Sequence, residues 1–196
     1  RELLGDDLPR SLEALGAALP DVPVLVGGHS LGGQLACLLA ATTSVPLAGI
    51  VLVASGAPYW RRFKPWTYAA YVFAPLLATL VGRLPGHRIG FGGNEARGVI
   101  ADWGRSGRTG RYVARGLPVD LEAALSRQAA PVHARLLRDD WLAPEPSLAW
   151  LLGKTPRSAH ATSALVRDDP AGTTAHYFAS MLAPASPVRP LAALPS

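Results

Sequence analysis

Gly28 and Gly32 flank one hydroxyl at equal distance, in the run Gly27-Gly28-His29-Ser30-Leu31-Gly32-Gly33. A serine hydroxyl becomes a useful nucleophile only when its backbone lifts it clear of its neighbours and a base takes its proton. The pattern G-x-S-x-G is that of a nucleophile elbow, an abrupt turn from a strand into a helix. Glycine is expected at both flanking positions because side chains there would collide across the bend. The turn also aims the start of the following helix, and the Leu31 amide above all, at the oxyanion that forms during acyl transfer. In a chain with 20 glycines the five-residue pattern is weak by itself. Its setting strengthens it: the apolar run Val22 to Val26 precedes it, and a helix with Leu31, Leu35, Leu38 and Leu39 on one side follows. The glycine spacing fits no dinucleotide fingerprint, and no lysine follows as in a P-loop.

A serine nucleophile needs a histidine base, and the base needs an acid to orient it. In elbow enzymes the chain order is Ser, acid, His. Asp139 and Asp140 follow the strand-like Val132 to Leu137 and are the candidate acids. Asp140 is preferred because Pro144, four residues on, resembles the D-x-x-x-P turn that often follows this acid in hydrolases; Asp139 is the alternative. Of the histidines after Ser30, His87 falls in the middle segment, while His133 and His160 fall within strands. His176 comes after the last strand, at a loop-to-helix junction where the base is needed. His29 is read as a flank of the elbow with no direct part in the chemistry. No metal ligand set and no organic cofactor is expected.

The elements that would position these groups follow an α/β grammar. Leu8, Leu12, Leu15 and Leu19 mark an amphipathic helix ended by Pro20. Val22 to Val26 reads as a strand buried on both faces and stopped by Gly27-Gly28, and Ile50 to Val53 as another stopped by Ser55-Gly56. Strand, helix, strand with short links predicts a mostly parallel sheet covered by helices. From Tyr59 to about Gln128 the composition turns aromatic, Arg-rich and Gly-rich, which predicts a helical insertion without clear strands. Val132 to Leu137 then returns to strand character. A helix from about Pro146 to Leu152, a weak strand near Ala159 to Thr162 and a short helix from about Ala175 to Leu182 complete the chain. Residues 1–58 and 131–196 are thus expected to form the core and 59–130 a lid, with a fraying tail over 183–196.

The totals narrow the function classes. Of 19 basic residues only Lys64 and Lys154 are lysines, and the net charge is +5. The arginines are dispersed and no basic motif is interleaved with aromatics, so no nucleic-acid partner is expected. Cys37 is the only cysteine, so no internal disulfide can form, and a buried thiol and a cytoplasmic location are expected. The uncharged stretch Pro65 to Gly82 is about as long as the shortest spanning helix. Pro75, two threonines and many alanines make a lid helix the preferred reading, with membrane association through 65–82 as the alternative.

Gly28-His29-Ser30-Leu31-Gly32-Gly33 with Gln34-Leu35 resembles the α/β-hydrolases of the lysophospholipase and serine-aminopeptidase-like group. A closer resemblance, to a bacterial subfamily of α/β-hydrolases, extends through Val53-Ala54-Ser55-Gly56, Tyr59-Trp60-Arg61 and Leu84-Pro85-Gly86. It continues through Ile89-Gly90-Phe91-Gly92, Gly98-Val99, Asp102-Trp103 and Arg111-Tyr112 to Asp139-Asp140 and His176-Tyr177-Phe178. The resemblance implies the α/β-hydrolase fold, a lid after the strand that follows the nucleophile, and hydrolysis of an ester-like, acyl or lipid-like small molecule. It also implies further strands ahead of Arg1 and a loop there that supplies a second oxyanion donor. Without that loop only the Leu31 donor remains, and one lost donor slows such enzymes about 10²–10³-fold. Family members usually place Gly after His-Phe, where this chain has His176-Tyr177-Phe178-Ala179. The expected function is therefore a serine hydrolase with Ser30, His176 and Asp140 as its triad. The alternative is a binding module that keeps the fold without turnover.

Overall fold

The computed structural model describes residues 2–89, 93–138 and 140–165. Helix α1 (Leu8–Ala18), entered through a wider helical turn at Leu3–Asp7, leads to strand β1 (Leu25–His29) and helix α2 (Leu31–Thr42). Strand β2 (Gly49–Val53) follows. Next come a short turn at Trp60–Arg62, α3 (Thr67–Val81), β3 (Arg83–Pro85), α4 (Gly86–Ile89), β4 (Asn94–Ala96) and α5 (Arg97–Thr109). Helix α6 (Leu121–Arg127), strand β5 (Val132–Leu137), helix α7 (Glu145–Leu152) and strand β6 (His160–Leu165) complete the described chain.

The main sheet has the order β1-β2-β5-β6, and every neighbouring pair is parallel. Parallel neighbours need crossovers, and α2, the long segment between β2 and β5, and α7 provide them. Ile50, Leu52, Val132 and Ala134 share one face of the paired β2 and β5 and are buried at the centre of the core, whereas His133 and Arg135 on the other face of β5 are exposed. Cys37, Leu38, Leu125, Leu148 and Leu151 from the covering helices join them. Cys37 is buried, and burial pushes its thiol up to about 12.

The first strand differs from the expected Val22 to Val26. Pro23 has no N–H to give a ladder, so pairing begins at Leu25, opposite Gly49. The strand then runs through Gly27 and Gly28 instead of stopping there. A side chain at Gly27 would lie 2.7 Å from the Val51 carbonyl oxygen, so the glycine permits close strand pairing.

The middle segment packs in two ways. Helices α3 and α5 enclose a small separate core of Ala78, Leu84 and Ile100, joined by Ala74 and Leu77. The two helices approach closely at glycine notches. A Cβ at Gly104 would lie 2.3 Å from Pro75, and one at Gly107 would lie 2.0 Å from the Tyr71 ring. Helix α6 instead contributes Leu121 and Leu125 to the main core. The antiparallel pair β3–β4 was not expected; with three residues per strand, one of them Pro85, it has no alternation to read. Lys154 after α7 fastens the return of this segment, with its Nζ 2.7 Å from Glu122 and 2.8 Å from the Gly110 carbonyl. Among the described residues no helix is long and apolar enough to cross a membrane.

Candidate active site

β1 ends at His29 and α2 starts at Leu31, so Ser30 alone makes the turn between them. Its backbone sits at φ 51° and ψ −120°, outside the regions open to ordinary L-residues. Such a conformation costs of order 1–3 kcal/mol and persists only where the surroundings hold it. Here they do. The Ser30 N–H donates to the Val53 carbonyl at 3.0 Å, extending the β1–β2 ladder by one bond. The Ser30 carbonyl accepts from the Gly33 amide at 3.1 Å and from the buried Ser55 hydroxyl at 2.7 Å. The Ser30 side chain itself is on the exposed part of the edge.

The glycines around the bend divide the work unequally. A Cβ at Gly28 would lie 2.4 Å from the Gly32 carbonyl carbon and 2.7 Å from its oxygen, so glycine is required there. At Gly32 the expectation of a collision is not met: an added Cβ meets nothing within 4 Å. The second close approach is at Gly33, where a Cβ would fall 2.6 Å from the Ser55 hydroxyl oxygen. The crowding runs inward, under the helix, rather than symmetrically about Ser30.

First-turn amides of a helix have no intrahelical partner. Those of Gly33 and Gln34 return to the Ser30 carbonyl at 3.1 and 3.4 Å. Leu31 lines a cleft of about 640 Å³ bounded by Gln34, Leu35 and Leu38 of α2 and by α5 from Arg97 to Ser106.

Asp140 follows β5, so it occupies the same C-terminal edge of the sheet as Ser30. One strand, β2, lies between β5 and β1, which sets the two strands about 10 Å apart. Its Oδ1 accepts the Leu142 amide at 2.9 Å, a local turn that holds the half-buried carboxylate in place. Burial holds His29 below its ordinary value, and the negative charge of Asp140 opposes that shift. The two side chains thus feel each other across the edge, a proximity the sequence did not reveal.

His160 lies at the opposite end of the sheet. It opens β6, pairs with Val132 at the start of β5, and places Nε2 3.0 Å from the Thr155 hydroxyl. His133 pairs with Val51, two registers below the His29–Val53 pair, and is exposed. His87 is exposed on α4. Asp139 and His176 lie outside the described residues, as does the expected helix over 175–182. Among the described residues no group of His, Cys, Asp and Glu is arranged to hold a metal ion.

The residue sequence reasoning missed is Ser55. Its Ser-Gly context reads as a strand stop, and its partner lies 25 positions away. The only trace was its place in the stretch Val53-Ala54-Ser55-Gly56 that carries the subfamily resemblance.

An all-parallel sheet, a strained serine between strand and helix, and an acid two strands away frame the comparison with known proteins. Residues 5–179 match the family described as the alpha/beta hydrolase fold. The chain belongs to that family. No curated protein matches it. Among solved structures it is similar to Rv0554 from Mycobacterium tuberculosis, with 16% identity and a TM-score of 0.44 over 78% of this chain and 61% of the other. It is also similar to the putative non-heme bromoperoxidase BpoC of Mycobacterium tuberculosis H37Rv, with 17% identity and a TM-score of 0.46 over 79% and 63%. A third similarity is to a monoacylglycerol lipase of Paleococcus ferrophilus, with 12% identity and a TM-score of 0.49 over 88% and 72%. The chain spans less than two thirds of the length of the first two of these structures.

Proposed function

We propose that this α/β-hydrolase-fold chain carries the catalytic serine of a hydrolase that cleaves an ester-like bond, possessing an acyl or lipid-like group, through an acyl-enzyme. The observation that carries the reading is the backbone of Ser30. A non-glycine residue at φ 51° and ψ −120°, held by four hydrogen bonds, is stored strain of the kind that presents a nucleophile's hydroxyl between strand and helix.

In the proposed mechanism Ser30 Oγ attacks the acyl carbon while His176 takes its proton. The Leu31 amide, at the positive end of α2, holds the oxyanion as the tetrahedral intermediate forms. Asp140 orients His176 and stabilises its charged form. The proton passes from His176 to the leaving alcohol, and water then releases the acid by the reverse sequence. The assignment of the base rests on chain order, supported by the places of His133 and His160 away from the Ser30 edge. The helical pair α3–α5 is proposed as a lid, and the cleft beside Leu31, apolar along α2, as the space for the acyl group.

Treatment of the folded protein with a fluorophosphonate probe tests this. Ser30 is expected to be labelled, and Ser30→Ala to abolish the adduct without lowering the melting temperature. An unlabelled folded protein, or a label that survives Ser30→Ala, rejects the reading.

A further inference from the structure

The outer face of α3 carries a different signal. Its inner side is filled: Tyr71 packs on Gly107 and Trp103, Pro75 on Gly104, and Ala78 is fully buried. The opposite side presents Ala69, Val72, Phe73, Leu76 and Leu80 at the spacing of one helical stripe, with Phe73 63% and Leu80 77% exposed. Trp66 extends the stripe at its start, and its ring lies 5.4 Å from that of Trp141. Trp141 and Leu142 are themselves about half exposed and directly follow Asp140. A continuous apolar strip therefore runs along α3 to the sheet edge that carries Asp140. Surfaces of this extent on a folded protein mark a place of contact.

Charge indicates the kind of contact. No aspartate or glutamate occurs between Asp21 and Glu95. Over the same span Arg61, Arg62 and Lys64 precede α3, and Arg83 and Arg88 follow it, all of them exposed. Arg61 and Arg62 lean on the rings of Trp60 and Trp150 and still reach solvent. An apolar stripe with basic residues beyond both ends, tryptophan and tyrosine at one end and no acid on α3 or its immediate flanks suits a face that rests in the interface of an anionic bilayer. At 15 residues, with Pro75 inside, α3 is too short to cross a bilayer, and lying flat needs no such length.

We propose that the outer face of α3, continued by Trp66, Trp141 and Leu142, docks on the surface of an anionic lipid bilayer, which brings the Ser30–Asp140 edge against lipid. The substrate class that follows, an ester drawn from the bilayer, rests on the serine-hydrolase reading. Membrane docking itself does not, so Ser30→Ala is expected to bind vesicles as well as the unaltered protein.

Flotation with phosphatidylcholine vesicles, with and without phosphatidylglycerol, tests the docking. Co-flotation is expected with the anionic vesicles, weakening as salt is raised. Phe73→Glu with Leu80→Glu is expected to lower the bound fraction by roughly tenfold or more at an unchanged melting temperature. Should that variant fold poorly, brominated lipid in the same vesicles is expected to quench the tryptophan fluorescence of the unaltered protein. Absence of flotation with anionic vesicles, equal flotation of the double variant, or lack of quenching overturns the proposal. So does a dimer that the double variant splits in sedimentation, which would assign the face to a second copy of this chain.

Discussion

Replacing Gly28 and Gly32 one at a time by alanine separates two readings of the elbow that the sequence pattern treats alike. At Gly28 the new methyl would lie 2.4 Å from the Gly32 carbonyl carbon, 2.7 Å from its oxygen and 2.8 Å from the Gly33 nitrogen. All three obstacles are backbone in the first turn of α2, so relief requires moving the helix start or the strand end. Overpacking costs typically 1–3 kcal/mol, and a rigid obstacle puts Gly28→Ala at about 3 kcal/mol. For a chain of this size that is roughly 6–12 °C in melting temperature. At Gly32 nothing lies within 4 Å and the residue is helical, so alanine gains up to about 1 kcal/mol through the unfolded chain. Thermal melts of both variants, with fluorophosphonate labelling of Ser30, are the assay. Gly28→Ala is expected to lose stability and label together, and Gly32→Ala to keep both. Equal losses in the two variants, or a Gly28→Ala melt within a degree or two of the unaltered protein, would refute the argument from crowding.

Ser55→Ala deletes the 2.7 Å hydrogen bond to the Ser30 carbonyl; it is expected to cost about 1 kcal/mol in urea unfolding and to slow labelling of Ser30. Asp140→Asn removes a negative charge that supports protonated His29, so an NMR titration should find the His29 pKa moved further down, and an unmoved value would place Asp140 away from the elbow. Burial raises the pKa of Cys37 to about 12 and those of Tyr71 and Tyr112 further, so these groups stay protonated in the fold while the unfolded chain releases its protons first. Their contribution is complete below about pH 9 and lost as pH rises toward 12 and beyond, so urea midpoints should fall across that window; a thiol reagent at pH 8 should modify Cys37 only on unfolding.

Although β5 alternates, with exposed His133 and Arg135 following buried Val132 and Ala134 in turn, the parallel sheet was legible from the apolar β-branched run Ile50 to Val53 and the strand-helix-strand order around it. Its first register was not. Pro23 removes a donor and Gly27 permits a close pairing, so the apolar stretch and the paired stretch are offset by three residues. The pair β3–β4 is set by the α3–α5 packing around it, and three residues carry no period. The elbow was legible from Gly28, Ser30 and the helix beyond. Its support was not, because Ser55 reaches Ser30 only through the pairing of His29 with Val53. Contacts fixed by a parallel crossover leave no local mark in the sequence.

That crossover also explains a second oddity of the backbone. Ser30 and Ala54 are the non-glycine residues with positive φ among those described, and each directly follows the His29–Val53 pair. Each donates its N–H to the neighbouring strand, Ser30 to Val53 and Ala54 to Arg135. The sheet thus bends two adjacent strands at one level. Ala54, at φ 43° and buried, has no reactive group to present. What its turn achieves is the placement of the next side chain, Ser55, under the Ser30 carbonyl. A strained residue whose outcome is a hydrogen bond to another strained residue is hard to account for by packing alone, since an ordinary strand end would bury alanine equally well. The arrangement makes sense if the conformation of Ser30 is what the edge of the sheet is built to hold.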